Sequence, residues 1–294
     1  MYTQVAANKW KSIGLTAGFV LLVAGLAYVY GFFTDQVGIV IPILIFAVVY
    51  ALVSYHFSAK IALAIAGAQP VAKKDAPELY RLVENLSITA GLPMPKVYIV
   101  NDPSPNAFAT GRDPKHAVVA VTTGLLSLLD KEELEGVLAH ELSHVGNYDI
   151  RFMAIVMVLV TVVSLISDFL LRISIFGGDD DNPNPLGIIL ALAAALIAPL
   201  IAILLQLAVS RKREYLADAS GALLTRYPEG LAQALEKIGS AHQPLEHAST
   251  ANAHMYFSNP LGGKKRGSFV MQLFSTHPPI EERIKRLREM GDKA

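Results

Sequence analysis

Residues 140–144 spell HELSH, so His140 and His144 stand four residues apart with the carboxylate of Glu141 beside them. On a helix this spacing sets both imidazoles on one face, which suits two ligands of a divalent metal and a general base. Leu138, Ala139, Leu142 and Val145 enclose the pair in apolar residues, unlike a solvated surface motif. The sequence contains no cysteine, so thiolate ligands and disulfides are excluded and a metal must be held by His, Asp or Glu. Catalytic zinc takes three protein ligands and keeps one position open, and no third histidine follows His144 at metzincin spacing. The segment RKREYLADAS offers Glu214 as the third ligand, with Asp218 one helical turn later on the same face. Taken alone, RKRE also fits a charged turn after an apolar helix. His56, His116, His242, His247 and His254 have no metal-ligand spacing with the motif and read as ordinary.

The elements that must position these groups are legible around them. Asp130 with Glu133 three residues later makes a capping box, and Leu134, Val137 and Leu138 carry a helical period directly into His140. Upstream, Asp75 before Ala76 and Pro77 marks a helix start, with Leu79, Leu82, Val83 and Leu86 as its apolar face up to Gly91. KVYIV is a short β-rich run, and NAFATG and AVVAVTTG form two strands joined by a turn at Gly111, Asp113 and Pro114. The soluble part is therefore mainly α with a small β-sheet.

At 53% hydrophobic and 17% charged residues, the 294-residue chain is more apolar than an ordinary soluble protein. Four stretches reach the roughly 20 apolar residues a spanning helix needs: residues 13–33, 37–57, 152–171 and 186–209. Basic residues mark their cytoplasmic ends: Lys9 and Lys11, Lys60, Arg151, and the run Arg211, Lys212 and Arg213. The connections bearing Asp35 and Asp179 to Asp181 hold no Lys or Arg and read as outward loops. Both termini and the HELSH helix then face the cytoplasm, with His144 and Glu214 each a few residues from a membrane helix, at one depth. The expected organisation is a transmembrane hairpin over 1–60, a first catalytic part over 61–151, a second hairpin over 152–209 and a second catalytic part over 210–294. Basic and acidic residues balance at 25 each, so no nucleic-acid partner is indicated.

The four apolar helices, NAFATG at 106–111, HELSH at 140–144, EYLAD at 214–218 and THPPIEERI at 276–284 together resemble the HtpX-like membrane metallopeptidases. That family is related to the CAAX-prenyl endopeptidases and belongs to the gluzincin class. The resemblance covers essentially the whole chain. It implies a zincin-like catalytic domain and one zinc bound by His140, His144 and Glu214. It also implies Glu141 as catalytic acid/base and proteolysis of membrane or misfolded proteins in quality control. The CAAX-cleaving branch has more membrane helices than the four here, which argues against prenyl-peptide processing. In such an enzyme Glu141 takes a proton from water and delivers it to the leaving amine. Asp218 is expected to accept the free ring N–H of His140. His277 and Arg283 are the candidate donors to the oxyanion, with a zinc ligand in a resting form as the other role open to His277 and a helix cap and surface charge as the plain alternative for the two. An extended substrate is expected to add as a strand along Asn106, Ala107, Phe108 and Ala109. Asn147 and Asp149 either orient the site or cap the junction with the third membrane helix. The competing function is a membrane chaperone or binding protein whose zinc is structural. Against it stands Glu141, which a closed four-ligand site does not need.

Overall fold

The computed structural model describes residues 2–33, 35, 37–176, 211–241, 256–257 and 278–291. The expected span over 186–209, the acidic loop at 179–181, the glycine-rich segment 262–267 and His277 lie outside the described residues. Among the described residues, two helices are long and apolar enough to cross a membrane. They are α1 (Tyr2–Phe33), through Ser12–Val29, and α7 (Asp149–Phe176), through Asp149–Phe169. The second expected span is α2 (Val40–His56), which runs into α3 (Ser58–Ile65) through a 76° bend and forms a third crossing only if the bent pair is one span. Phe57, at φ −98° and ψ 10°, is where the chain leaves the helix. Phe19 and Val23 of α1, Ile43 and Ala47 of α2, and Leu159 and Val162 of α7 form one apolar cluster.

A four-stranded mixed sheet follows, of β1 (Ala68–Pro70), β2 (Lys96–Val100), β3 (Ala107–Thr110) and β4 (Val118–Thr122), in the order β1-β2-β4-β3. β2 and β4 are parallel, in the register Val97 to Val119, and the outer pairs are antiparallel. β3 is therefore an edge strand. The turn after β3 needs Gly111, at φ +143°, where a Cβ would stand 2.6 Å from the carbonyl oxygen of His116. The second expected strand is shorter than AVVAVTTG, because the Thr122 hydroxyl accepts the N–H of Leu125 and starts the short helix α5 (Thr123–Leu128).

Helix α4 (Pro77–Ala90) begins with Ala76 rather than Asp75 at the cap and ends on the left-handed Gly91. Helix α6 (Lys131–Gly146) carries HELSH and starts with the full capping box: Asp130 accepts the N–H of Glu133, and Glu133 accepts the N–H of Asp130. Three helices complete the described chain: α8 (Arg211–Thr225), α9 (Pro228–Ser240) and α10 (Ile280–Gly291). α6 is central, with α4, β3, α8 and α9 packed around it. Its residues Val137, Leu138, Leu142 and Val145 join Val83, Val119, Val121, Leu231 and Leu235 in the main core. Burying several such side chains at about 1.5–3 kcal/mol each is what holds the helix that carries HELSH in place.

Candidate metal centre

Two carboxylates and two arginines stand behind the paired histidines. His140 and His144 turn their Nε2 atoms toward each other at 3.1 Å. Glu214 meets them with Oε1 3.5 Å from Nε2 of His144 and Oε2 3.9 Å from Nε2 of His140. Nitrogen ligands about 2.0–2.1 Å from a tetrahedral zinc stand roughly 3.3 Å apart, so the two rings are spaced for a common ion. His140, His144 and Glu214 form a group whose ligand atoms all lie within 4.8 Å of one another. The set of two imidazoles and a carboxylate is what borderline-soft zinc accepts.

Each ring uses its other nitrogen on a buried carboxylate. Nδ1 of His140 lies 2.9 Å from Oδ1 of Asp218, and Nδ1 of His144 lies 3.1 Å from Oδ2 of Asp149. A carboxylate on Nδ1 fixes the tautomer that leaves an Nε2 lone pair for a metal. Asp218 is itself held by Arg283, whose Nε and Nη2 donate to it at 2.9 and 2.7 Å. Arg283 is 1% exposed, its Nη1 donates to the carbonyl of Phe257 at 3.4 Å, and its guanidinium lies 4.9 Å from the Phe257 ring. The group expected as an oxyanion donor is here committed to Asp218, and through it to His140.

Electrostatics differ across the site in the metal-free protein. Burial pushes the Glu141 carboxyl up to about 7, with the charge of Glu214 adding to the rise and that of His144 opposing it. Burial lowers His140 to about 4 although Asp218 pulls the other way. Burial acts on His144 in the same sense, but Asp149, Glu214 and Glu141 outweigh it and raise that ring to about 9. Asp218 falls to about 2: burial opposes the drop, while Arg283 and His140 outweigh it. Glu141 also receives a backbone hydrogen bond from Ala109, which ties its carboxylate to the edge strand.

The four expected substrate-strand residues separate by face. Ala107 and Ala109 pack toward α6, whereas Phe108 points through the sheet into a second cluster, with its ring 5.2 Å from that of Tyr256. Asn106 supports the strand start, its side-chain oxygen accepting the N–H of Ala107. The carbonyl of Ala107 accepts the N–H of Phe257 at 2.9 Å, and the Phe257 ring stands edge-on to His140 at 5.0 Å. Sequence reasoning missed Phe257, which lies 117 residues from His140 with no periodicity linking them. It also missed Gly221, although a signal existed. Glu214, Asp218 and Gly221 follow an i, i+4, i+7 stripe, and a Cβ on Gly221 would stand 2.9 Å from the backbone nitrogen of His140.

A sequence model of peptidase family M48 matches residues 73–291. The "Protease HtpX homolog" of Tropheryma whipplei (strain Twist) is 51% identical over 294 residues, covering 100% of this chain and 99% of that protein. The "Protease HtpX homolog" of Dictyoglomus turgidum is 47% identical over 298 residues, covering 99% of this chain and 95% of its own. In fold, the chain is similar to the crystal structure of S. mikatae Ste24p, with a TM-score of 0.51 at 19% identity over 98% of this chain and 67% of that one.

Proposed function

The chain belongs to peptidase family M48 and is a membrane-associated zinc metalloprotease; from that premise we propose that it is an integral-membrane endopeptidase that cuts membrane or misfolded proteins at the cytoplasmic membrane face. Its cellular setting is the inner membrane, in protein quality control. His140, His144 and Glu214 hold one zinc, and the observation that carries this assignment is the convergence of their ligand atoms beside the buried carboxyl of Glu141. Zinc, when bound, supplies Lewis acidity toward water and the scissile carbonyl.

The protein's own groups perform the proton work. Glu141, buried beside the three converging residues, takes a proton from the attacking water and returns it to the leaving amine. The Ala109 N–H keeps that carboxylate aimed, so the strand that borders the substrate also orients the base. Asp218 and Arg283 keep His140 in the metal-binding tautomer. His277 remains our candidate donor to the oxyanion. The polypeptide substrate runs extended along β3, where backbone recognition allows loose side-chain specificity. Any substrate strand that uses the Ala107 carbonyl takes the place of the Phe257 N–H.

The test is zinc content and cleavage of an unfolded protein such as casein, on purified wild type and Glu141→Gln side by side, with and without a chelator. Equal zinc in both, with chelator-sensitive cleavage in the wild type alone, is the expected result. Undiminished cleavage by Glu141→Gln removes Glu141 from the mechanism. Zinc in both with cleavage by neither favours the chaperone or binding-protein reading.

A further inference from the structure

We propose that Asp149 is the positioning residue for His144, backed by Arg213, so that the second metal ligand is aimed by the first residue of a helix able to cross the membrane. The inference rests on the reading of His144 as a zinc ligand. Three observations carry it. The first is the contact itself: Oδ2 of Asp149 lies 3.1 Å from Nδ1 of His144, and both side chains are buried. This leaves Nε2 of His144 for the metal, as Asp218 does for His140.

The second is how the chain brings Asp149 there. At about 100° per residue, a residue five positions after His144 on one unbroken helix would lie roughly 140° around from it. α6 instead ends at Gly146, the N–H of Asn147 bonds the carbonyl of Ser143, and Tyr148 takes the left-handed conformation at φ 62°. That conformation is disfavoured for a bulky side chain. Its result is that α7 starts with Asp149 folded back beneath His144.

The third is the group behind the carboxylate. Arg213 is buried, its Nη1 lies 3.8 Å from Oδ1 of Asp149, and its guanidinium stands 4.0 Å over the ring of Phe152 on α7. Arg213 directly precedes Glu214, so the same contact ties the third ligand's helix to α7. The centre thus has two relays in the same order, a hydrogen-bonded one from Arg283 through Asp218 to His140 and a longer ion-paired one from Arg213 through Asp149 to His144.

The experiment compares full-length wild type with Asp149→Ala, Asp149→Asn and Arg213→Met, each stripped of metal. Zinc affinity is read by competition with a chromophoric chelator, geometry by the visible spectrum of the cobalt(II) form, and folding by thermal unfolding without metal. Asp149→Ala should bind zinc about 10- to 100-fold more weakly with an altered cobalt spectrum. Asp149→Asn should recover part of the affinity, because its side-chain oxygen accepts the same N–H. Arg213→Met, which keeps an apolar stem against Phe152, should show a smaller loss and keeps the test open if Asp149→Ala fails to fold. Wild-type affinity and spectrum in Asp149→Ala overturn the proposal, as does an Arg213→Met variant folded and unchanged in both readouts. A wild type that takes up no stoichiometric metal overturns the zinc reading itself, and this inference with it.

Discussion

Before any metal arrives, the two paired histidines hold different numbers of protons. His140 is neutral at pH 7, since burial takes it down to about 4. His144 is charged, because its carboxylate neighbours hold it at about 9 against burial. A metal needs the neutral imidazole, so zinc must expel the His144 proton. The sign follows: proton and metal compete below pH 9, and apparent zinc affinity rises with pH up to that point. With one proton displaced, affinity should rise about tenfold per pH unit between pH 7 and 8. Chelator competition on the stripped protein, corrected for the chelator's own protonation, measures this slope. A flat profile would mean that His144 is already neutral in the metal-free protein. Much of this chemistry was legible at the level of residues, because HELSH and EYLAD place their partners within one helical turn. The commitment of Arg283 to Asp218 was not, since the two groups lie 65 residues apart and only tertiary packing joins them.

Among the elements, the crossing of α6 and α8 decides whether three ligands can converge. Gly221 lies at the contact, where a Cβ would meet the backbone at His140 N (2.9 Å) and at Ala139 C (3.2 Å). Backbone cannot swing aside as a flexible side chain can. Gly221→Ala should therefore push α8 away from α6, cost about 1–3 kcal/mol of stability, and weaken zinc binding by displacing Glu214. Gly239→Ala in α9 is the contrast: its Cβ would meet side chain rather than backbone, the Cδ1 (3.3 Å) and Cγ2 (3.5 Å) atoms of Ile280. A helical Gly→Ala there should leave zinc affinity intact and gain up to about 1 kcal/mol from helix propensity. Thermal unfolding and chelator competition on the two variants check both outcomes. Equal behaviour of the pair would remove the close crossing from the explanation. The capping box at Asp130 and Glu133 could be read ahead because a cap is a local pattern. The 76° bend after α2, the strand β1 and the tight approach at Gly221 could not, since each depends on what packs against the segment.

For the whole molecule, the described residues form two principal apolar bodies that meet along α7. Ile150 and Met153 belong to the catalytic core, while Val158, Leu159, Val162, Val163 and Ile166 pack with α1 and α2. The three residues proposed as metal ligands sit on α6 and α8, in the first body. A ligand bound by the folded state alone stabilises it by about 2.7 kcal/mol at one hundred times its dissociation constant, and that gain should act on the catalytic body. The sequence has a single tryptophan, Trp10, near the start of α1 and 73% exposed, so its emission reports on the other body. Indole favours the membrane–water interface. Transfer from detergent into lipid vesicles should therefore shift Trp10 emission to the blue. Chelator added at constant temperature should leave that emission unchanged, while lowering the thermal midpoint followed by circular dichroism. A Trp10 signal that moved together with the chelated catalytic body would show instead that α7 carries the loss of metal into the apolar helices. The contact of Asp149 with His144 makes that the route along which such coupling would run.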